Sequence, residues 1–147
     1  MLLAILMVLT CGRISAQSAG DATVEFRAVD IYVDSKEMPL ATYQLEFSVT
    51  NPASAAKIVG IEGGESPAFS EPPFYDPQAM QHERVIIAAF STNTVYNLPK
   101  GKTRVATIHL QTSRTAEPEY QLKLEIAADT NGNRIPAETS VEERKTK

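Results

Sequence analysis

Apolar and polar residues alternate with a period of two along much of the chain. In residues 41–50 (ATYQLEFSVT), Ala41, Tyr43, Leu45, Phe47 and Val49 alternate with Thr42, Gln44, Glu46, Ser48 and Thr50. This is the pattern of a strand with one face in a core and the other in water. Residues 120–127 repeat it, Tyr120, Leu122, Leu124 and Ile126 opposing Gln121, Lys123, Glu125 and Ala127. In residues 105–111, Ala106, Ile108 and Leu110 oppose Val105, Thr107, His109 and Gln111. Residues 85–90 (VIIAAF) are apolar in both phases, which predicts a strand at the centre of a packed layer, buried on both sides. In residues 23–34 the apolar set moves from Val24, Phe26 and Ala28 to Val29, Ile31 and Val33, a shift that a β-bulge or a strand crossing between sheets would produce. Residues 57–64 (KIVGIEGG) read as a short strand ending at a glycine pair.

Between these runs lie NPAS, NLPKGK and TAEPE, turn chemistry at the spacing of an antiparallel sandwich. Sustained helical periodicity is missing after the first twenty residues. One or two helical turns are expected at residues 76–83 (DPQAMQHE), with Asp76 as N-cap and Pro77 in the first position. The fold class is therefore all-β: an antiparallel β-sandwich of jelly-roll or immunoglobulin-like type. Residues 129–138 (DTNGNRIPAE) pose a choice between a calcium loop and a turn. Asp129, Asn131 and Asn133 fit the first three oxygen positions of an EF-hand loop, but Arg134 replaces its glycine and Ser140 its final glutamate, so calcium affinity should be weak. Asn131-Gly132 is a strong hairpin signal, and Pro136 confines the returning strand to an edge. The expectation is that this stretch closes the last hairpin, and that the charged residues 139–147 form a frayed tail.

Length and composition narrow the picture. A chain of 147 residues is one domain's worth. Residues 1–19 open with MLLAILMVLT and continue into small and polar residues, the layout of a signal peptide, too short to span a bilayer. That leaves residues 20–138 as the folded domain. The only early cation, Arg13, follows the apolar run rather than preceding it, which raises the expectation of an n-region upstream of Met1. Cys11 is the single cysteine. Thr10 before it is a poor lipobox residue, so ordinary cleavage is expected over lipid anchoring, leaving a domain without thiol, disulfide or cysteine-based metal chemistry. Loss of Arg13 would leave 13 cations against 18 carboxylates, a balance that excludes nucleic acid as a partner. The expected location is secreted, periplasmic or on the cell envelope.

The succession VDIYVDSKEMPLATYQLEFSVTN, AKIVGIEGG, RVIIAAFS and LPKGKTRVATIHLQT resembles a cohesin-like domain of secreted bacterial proteins, whose jelly-roll fold is shared with a group of carbohydrate-binding modules. The resemblance covers most of residues 29–128 and lies in pattern rather than in a signature. It implies non-catalytic recognition: cohesins bind dockerin modules through one sheet face and nearby loops, and related domains serve in envelope assembly. No contact motif matches position by position. The chain departs from the family in its proline-rich insert, ESPAFSEPPFYDP.

Candidate chemistry agrees with that reading. The two histidines, His82 in a loop and His109 on the wet phase of a strand, do not suffice for a triad or a zinc site, so no catalytic residue, metal or cofactor is assigned. The insert is the candidate contact, with Phe69, Glu71, Phe74 and Tyr75 as partner-binding residues. Its prolines stiffen a loop whose aromatic rings must be either buried as a plug for the open end of the sandwich or presented to a partner. The expected ligand is an extracytoplasmic protein, dockerin-like or from the envelope, with a polysaccharide as the alternative. The absence of tryptophan weighs against the sugar.

Overall fold

The computed structural model describes residues 23–144. The leader read over residues 1–19, with Cys11, lies outside the described residues. Eight strands follow one another: β1 (Val24–Asp34), β2 (Thr42–Val49), β3 (Lys57–Gly63), β4 (Phe74–Tyr75), β5 (Arg84–Phe90), β6 (Lys102–Ser113), β7 (Tyr120–Ala128) and β8 (Glu138–Glu143). They form two antiparallel four-stranded sheets, ordered β3-β6-β1-β8 and β4-β5-β2-β7, the β-sandwich expected from the period of two. Among the described residues helix is confined to single 3₁₀ turns. One of them, Pro77–Ala79, is capped by the Asp76 carboxylate accepting from the Gln78 N–H, with proline in the first turn, as the sequence predicts. Among the described residues no helix is long and apolar enough to cross a membrane.

The alternating residues meet between the sheets. Tyr43, Leu45, Phe47 and Val49 from β2 pack with Val29, Ile31 and Val33 from β1, Ile108 and Leu110 from β6, and Val85 and Ile87 from β5. Successive strands rarely pair, because the chain changes sheet at every connection except the one between β4 and β5.

The shift of apolar phase in β1 has a different cause from the one expected. β1 runs alongside β6 without interruption from Val24 to Ile31, and the register breaks only between Ile31 and Tyr32, where Val105 is the extra residue on β6. Val24 and Phe26 simply face water. Glu25 and Arg27 take the inward positions at that end of the sandwich, where Arg27 pairs with Glu25, Glu117 and Glu143. These charges satisfy one another, so an inward guanidinium is tolerated. A second bulge, at Glu125, lies in β7: Leu124 opposes Leu45 and Ile126 opposes Gln44. Ile126 therefore turns outward, away from the face of Leu122 and Leu124.

The C-terminal stretch also corrects the sequence. Asp129 Oδ1 accepts from the N–H groups of Asn131 and Asn133, each at 2.9 Å, while Gly132 adopts a left-handed φ of 79°. Those bonds, the Asn133 N–H first, hold the Asp129 carboxyl below its ordinary range. The turn closes on a single bridge between Ala128 and Arg134. The chain then leaves β7's sheet, buries Ile135, and forms β8 against β1. It is thus a crossover rather than the last hairpin, although β8 does occupy a sheet edge.

Residues 139–143 are strand, not frayed tail. The domain therefore extends past residue 138. Val141 packs on the core, and the charges that suggested disorder are matched: Glu138 with Lys36, Glu142 with Lys102, Glu143 with Arg27. Arg144 donates to Asp30 Oδ2 at 2.8 Å and to Thr107 Oγ1 at 3.0 Å, and Thr107 donates to Asp30 Oδ1 at 2.7 Å. Asp30 is only 8 % exposed. Burial alone would raise its pKa, but the bonds from Arg144 and Thr107 outweigh that and lower it.

A lowered carboxyl pKa stabilises the fold above the unfolded value, near 3.9, and the contribution disappears as pH falls through the folded value. Asp30 and Asp34, the latter held by the Lys36 backbone N–H, both behave this way and both sit beside β8. We expect a melting temperature that is flat above about pH 5 and falls below about pH 4. Hydrogen exchange should show protection lost first over residues 29–34 and 138–143; equal loss in both sheets would contradict this.

Candidate functional site: an exposed aromatic stripe beside the insert

The insert is fixed to the sandwich by backbone. A Cβ built on Gly63 would lie 2.0 Å from the Ser70 carbonyl oxygen, and one on Gly64 2.3 Å from that of Arg104. The glycine pair that ends β3 is therefore required by close approach, since neither contact can be relieved by moving a side chain. The Gly64 N–H donates to the Phe69 carbonyl at 2.6 Å, and the Glu65 N–H to that of Arg104 at 3.0 Å. Ser66 caps a 3₁₀ turn over Pro67–Phe69, and the chain then enters β4 beside β5.

So held, the insert divides its aromatic residues. Phe69 is 3 % exposed and meets Tyr43 edge to face at 5.3 Å between ring centroids. Tyr75 pairs with Ile87 and packs on the core. These two are the plug. Phe74, one position before Tyr75, has the opposite phase: it is 69 % exposed, opposes Ala88, and stacks on Phe90 with centroids 6.0 Å apart and planes 9° from parallel. Glu71 is exposed close by, and lines a groove with Phe74 and Phe90. The structure thus brings Phe74 and Glu71 to one surface and withdraws Phe69 and Tyr75 from it.

The partner of Phe74 was hidden in the sequence. β5 is not buried on both sides: Val85 and Ile87 face the core, whereas Ile86, at 42 % exposure, and Phe90, at 62 %, face water. They share that side with Ala88, and with Ile126, which the β7 bulge turns outward. The result is an apolar stripe along β4 and β5 on the outer face of β4-β5-β2-β7, with Ile126 set apart from it by Gln44 of β2. Two ion pairs flank the stripe, Arg84 with Glu46 at 2.5 Å and Lys123 with Glu125 at 2.6 Å. The signal available in the sequence was the run of apolar residues in both phases, which has two physical outcomes, double burial or an exposed apolar face.

Beyond Ile86, a groove is lined by Asp76, His82, Glu83 and Arg84. Beyond Phe90, a second cleft is lined by Thr92, Asn93, Asp129 and Thr130. His109 lies on the other sheet, its Nε2 3.0 Å from Glu62 Oε1 but out of line for a hydrogen bond. Among the described residues no group of three or more His, Cys, Asp or Glu is placed to hold a metal.

Fold and surface together define a two-sheet β-sandwich that presents an aromatic stripe on one outer face. No family model, no curated protein and no solved structure matches the chain.

The division of the insert has a direct test in stability. Phe69→Ala should cost about 3–5 kcal/mol, as for other buried aromatic residues, while Phe74→Ser should cost less than about 1 kcal/mol, since it removes an exposed ring and one aromatic pair. Denaturant melts of the two variants check this; similar losses in both would show that Phe74 also belongs to the plug.

Proposed function

We propose that the protein is a non-catalytic recognition module of the secreted or envelope-associated kind, cohesin-like, and that it binds a protein partner through the outer face of β4-β5-β2-β7. The observation that carries this reading is the exposed Phe74–Phe90 stack, continued along β5 by Ala88 and Ile86. Large exposed apolar patches with polar edges mark binding sites on soluble proteins. An apolar middle with matched ion pairs at its sides has the anatomy of a protein interface. Both aromatic residues stand on strands, and the insert that carries Phe74 is pinned by its backbone bonds to β3 and β6. Such a surface is pre-organised, and little entropy is lost when it is covered.

The polysaccharide alternative draws its support from the cleft beyond Phe90, where Thr92, Asn93 and Thr130 set polar groups beside a ring. The two readings separate in one experiment. The immobilised protein is offered an extracytoplasmic extract and, in parallel, insoluble cellulose, chitin and peptidoglycan. Any captured protein is identified, purified and titrated against the wild type and the Phe74→Ser/Phe90→Ser double variant. The expected result is a partner whose Kd rises at least about 30-fold in the double variant, the size of a hot spot worth about 2 kcal/mol, while the variant stays folded at the temperature of the titration. Unaltered affinity would refute the stripe as the site, and retention on a polysaccharide that depends on the same two rings would replace the protein reading with the sugar one.

A further inference from the structure

Resting on the reading of the stripe as a protein-binding surface, we infer that its partner is a protein segment whose apolar face is bordered by lysine and arginine. The inference comes from four carboxylates that ring the stripe. Glu71 lines the groove at Phe74 and Phe90, Asp129 the cleft beyond Phe90, and Asp76 and Glu83 the groove beyond Ile86. Among the described residues no ion pair includes any of the four. Asp76 and Asp129 are engaged only by N–H groups of their own turns and by the Asn133 amide, none of which carries a charge to neutralise them.

The cations on the same sheet face are already matched, Arg84 by Glu46 and Lys123 by Glu125. At the β7 edge, Arg134 donates to the Glu125 carbonyl and leaves the balance of the border negative. An apolar strip with an acidic border favours a partner with the complementary charge, and like charges set against it would be rejected.

The same border argues against a second copy of this chain as the occupant. A symmetric dimer places a patch on itself. Four unneutralised carboxylates would then face four more, in a chain whose formal charge is already −4.

The test uses three synthetic 18-residue peptides. Two are amphipathic helices with one identical Leu/Phe face, flanked in one by Lys and Arg and in the other by Glu. The third has the charge of the basic peptide but no apolar face. Titration against the full protein in 50 mM NaCl should give the basic amphipathic peptide an affinity at least about tenfold above the acidic one, a difference of 1.4 kcal/mol. That advantage should shrink in 0.5 M NaCl. Glu71→Gln/Glu83→Gln, which removes two charges without touching the turn caps, should reduce the selectivity, and Phe74→Ser/Phe90→Ser should abolish binding of both amphipathic peptides.

Equal binding of both peptides, still lost in the phenylalanine variant, would overturn the charge inference while the surface stands. Equal binding of the third peptide, or selectivity that survives the phenylalanine variant, would overturn it as unspecific attraction. No binding of either amphipathic peptide at 1 mM would refute the surface reading itself. Dimerisation through the stripe, seen as a Phe74-dependent increase in mass by light scattering, would replace the basic partner with a second copy.

Discussion

A two-layer sandwich buries one face of each sheet and leaves the other in water, so a strand that is apolar in both phases must expose one set. Much of this protein follows from how that constraint falls on particular strands. β2 obeys it without conflict, with Tyr43, Leu45, Phe47 and Val49 inward and Thr42, Gln44, Glu46 and Ser48 outward. β5 cannot. Its inward Val85 and Ile87 complete the core, and the cost is that Ile86 and Phe90 remain in solvent. A strand with polar residues at those two positions would pack the same core, so the fold itself gives no reason for their being apolar. That surplus is what makes the outer face of β4-β5-β2-β7 a candidate for recognition rather than an incidental surface.

Most strands and most of their inward residues were legible in the sequence because a period of two is a local property, set by the pleat of each strand alone. Pairing was less so. Ten residues that alternate correctly say nothing about which sheet they join, and here nearly every connection changes sheet, so residues 129–138 read as a hairpin although β8 pairs with β1. Bulges were invisible for the same reason: Glu125 and Val105 are extra residues only relative to a partner strand. The tail was misread because charge was counted as a mark of disorder. In the folded chain those charges meet Lys36, Lys102, Arg27 and Asp30, each far away in sequence.

The insert was legible as a place of interest and illegible in its division of labour. Burial and exposure of its rings had seemed alternatives, and the structure has both. Phe69 anchors on Tyr43, which fixes the path of the chain, and that path sets the phase of β4 so that Tyr75 points in and Phe74 out. The anchor and the exposed ring are thus parts of one arrangement. The glycine pair at the end of β3 belongs to it too, because only residues without Cβ let the insert's backbone lie directly on Gly63 and the β6 backbone on Gly64.

Comparison of the two outer faces shows why one of them is the better candidate. On the β3-β6-β1-β8 face the polar groups are spent on one another. Lys102 lies 4.6 Å over the Tyr32 ring and pairs with Glu142, Arg144 and Thr107 satisfy Asp30, and Arg104 donates to Thr107 and to the Gly63 carbonyl. Val24 and Phe26 are exposed there at the end of β1, but a small apolar group at the margin of a polar face is ordinary. The β4-β5-β2-β7 face is the reverse: its apolar residues on β4 and β5 adjoin one another, two of its rings stack, and among the described residues the carboxylates bordering it lack cationic partners. A partner on the first face would have to break existing ion pairs and repeat their desolvation, whereas on the second it would cover apolar area and supply the missing cations. The difference in what each face leaves unsatisfied is what makes the stripe the better candidate surface for a partner.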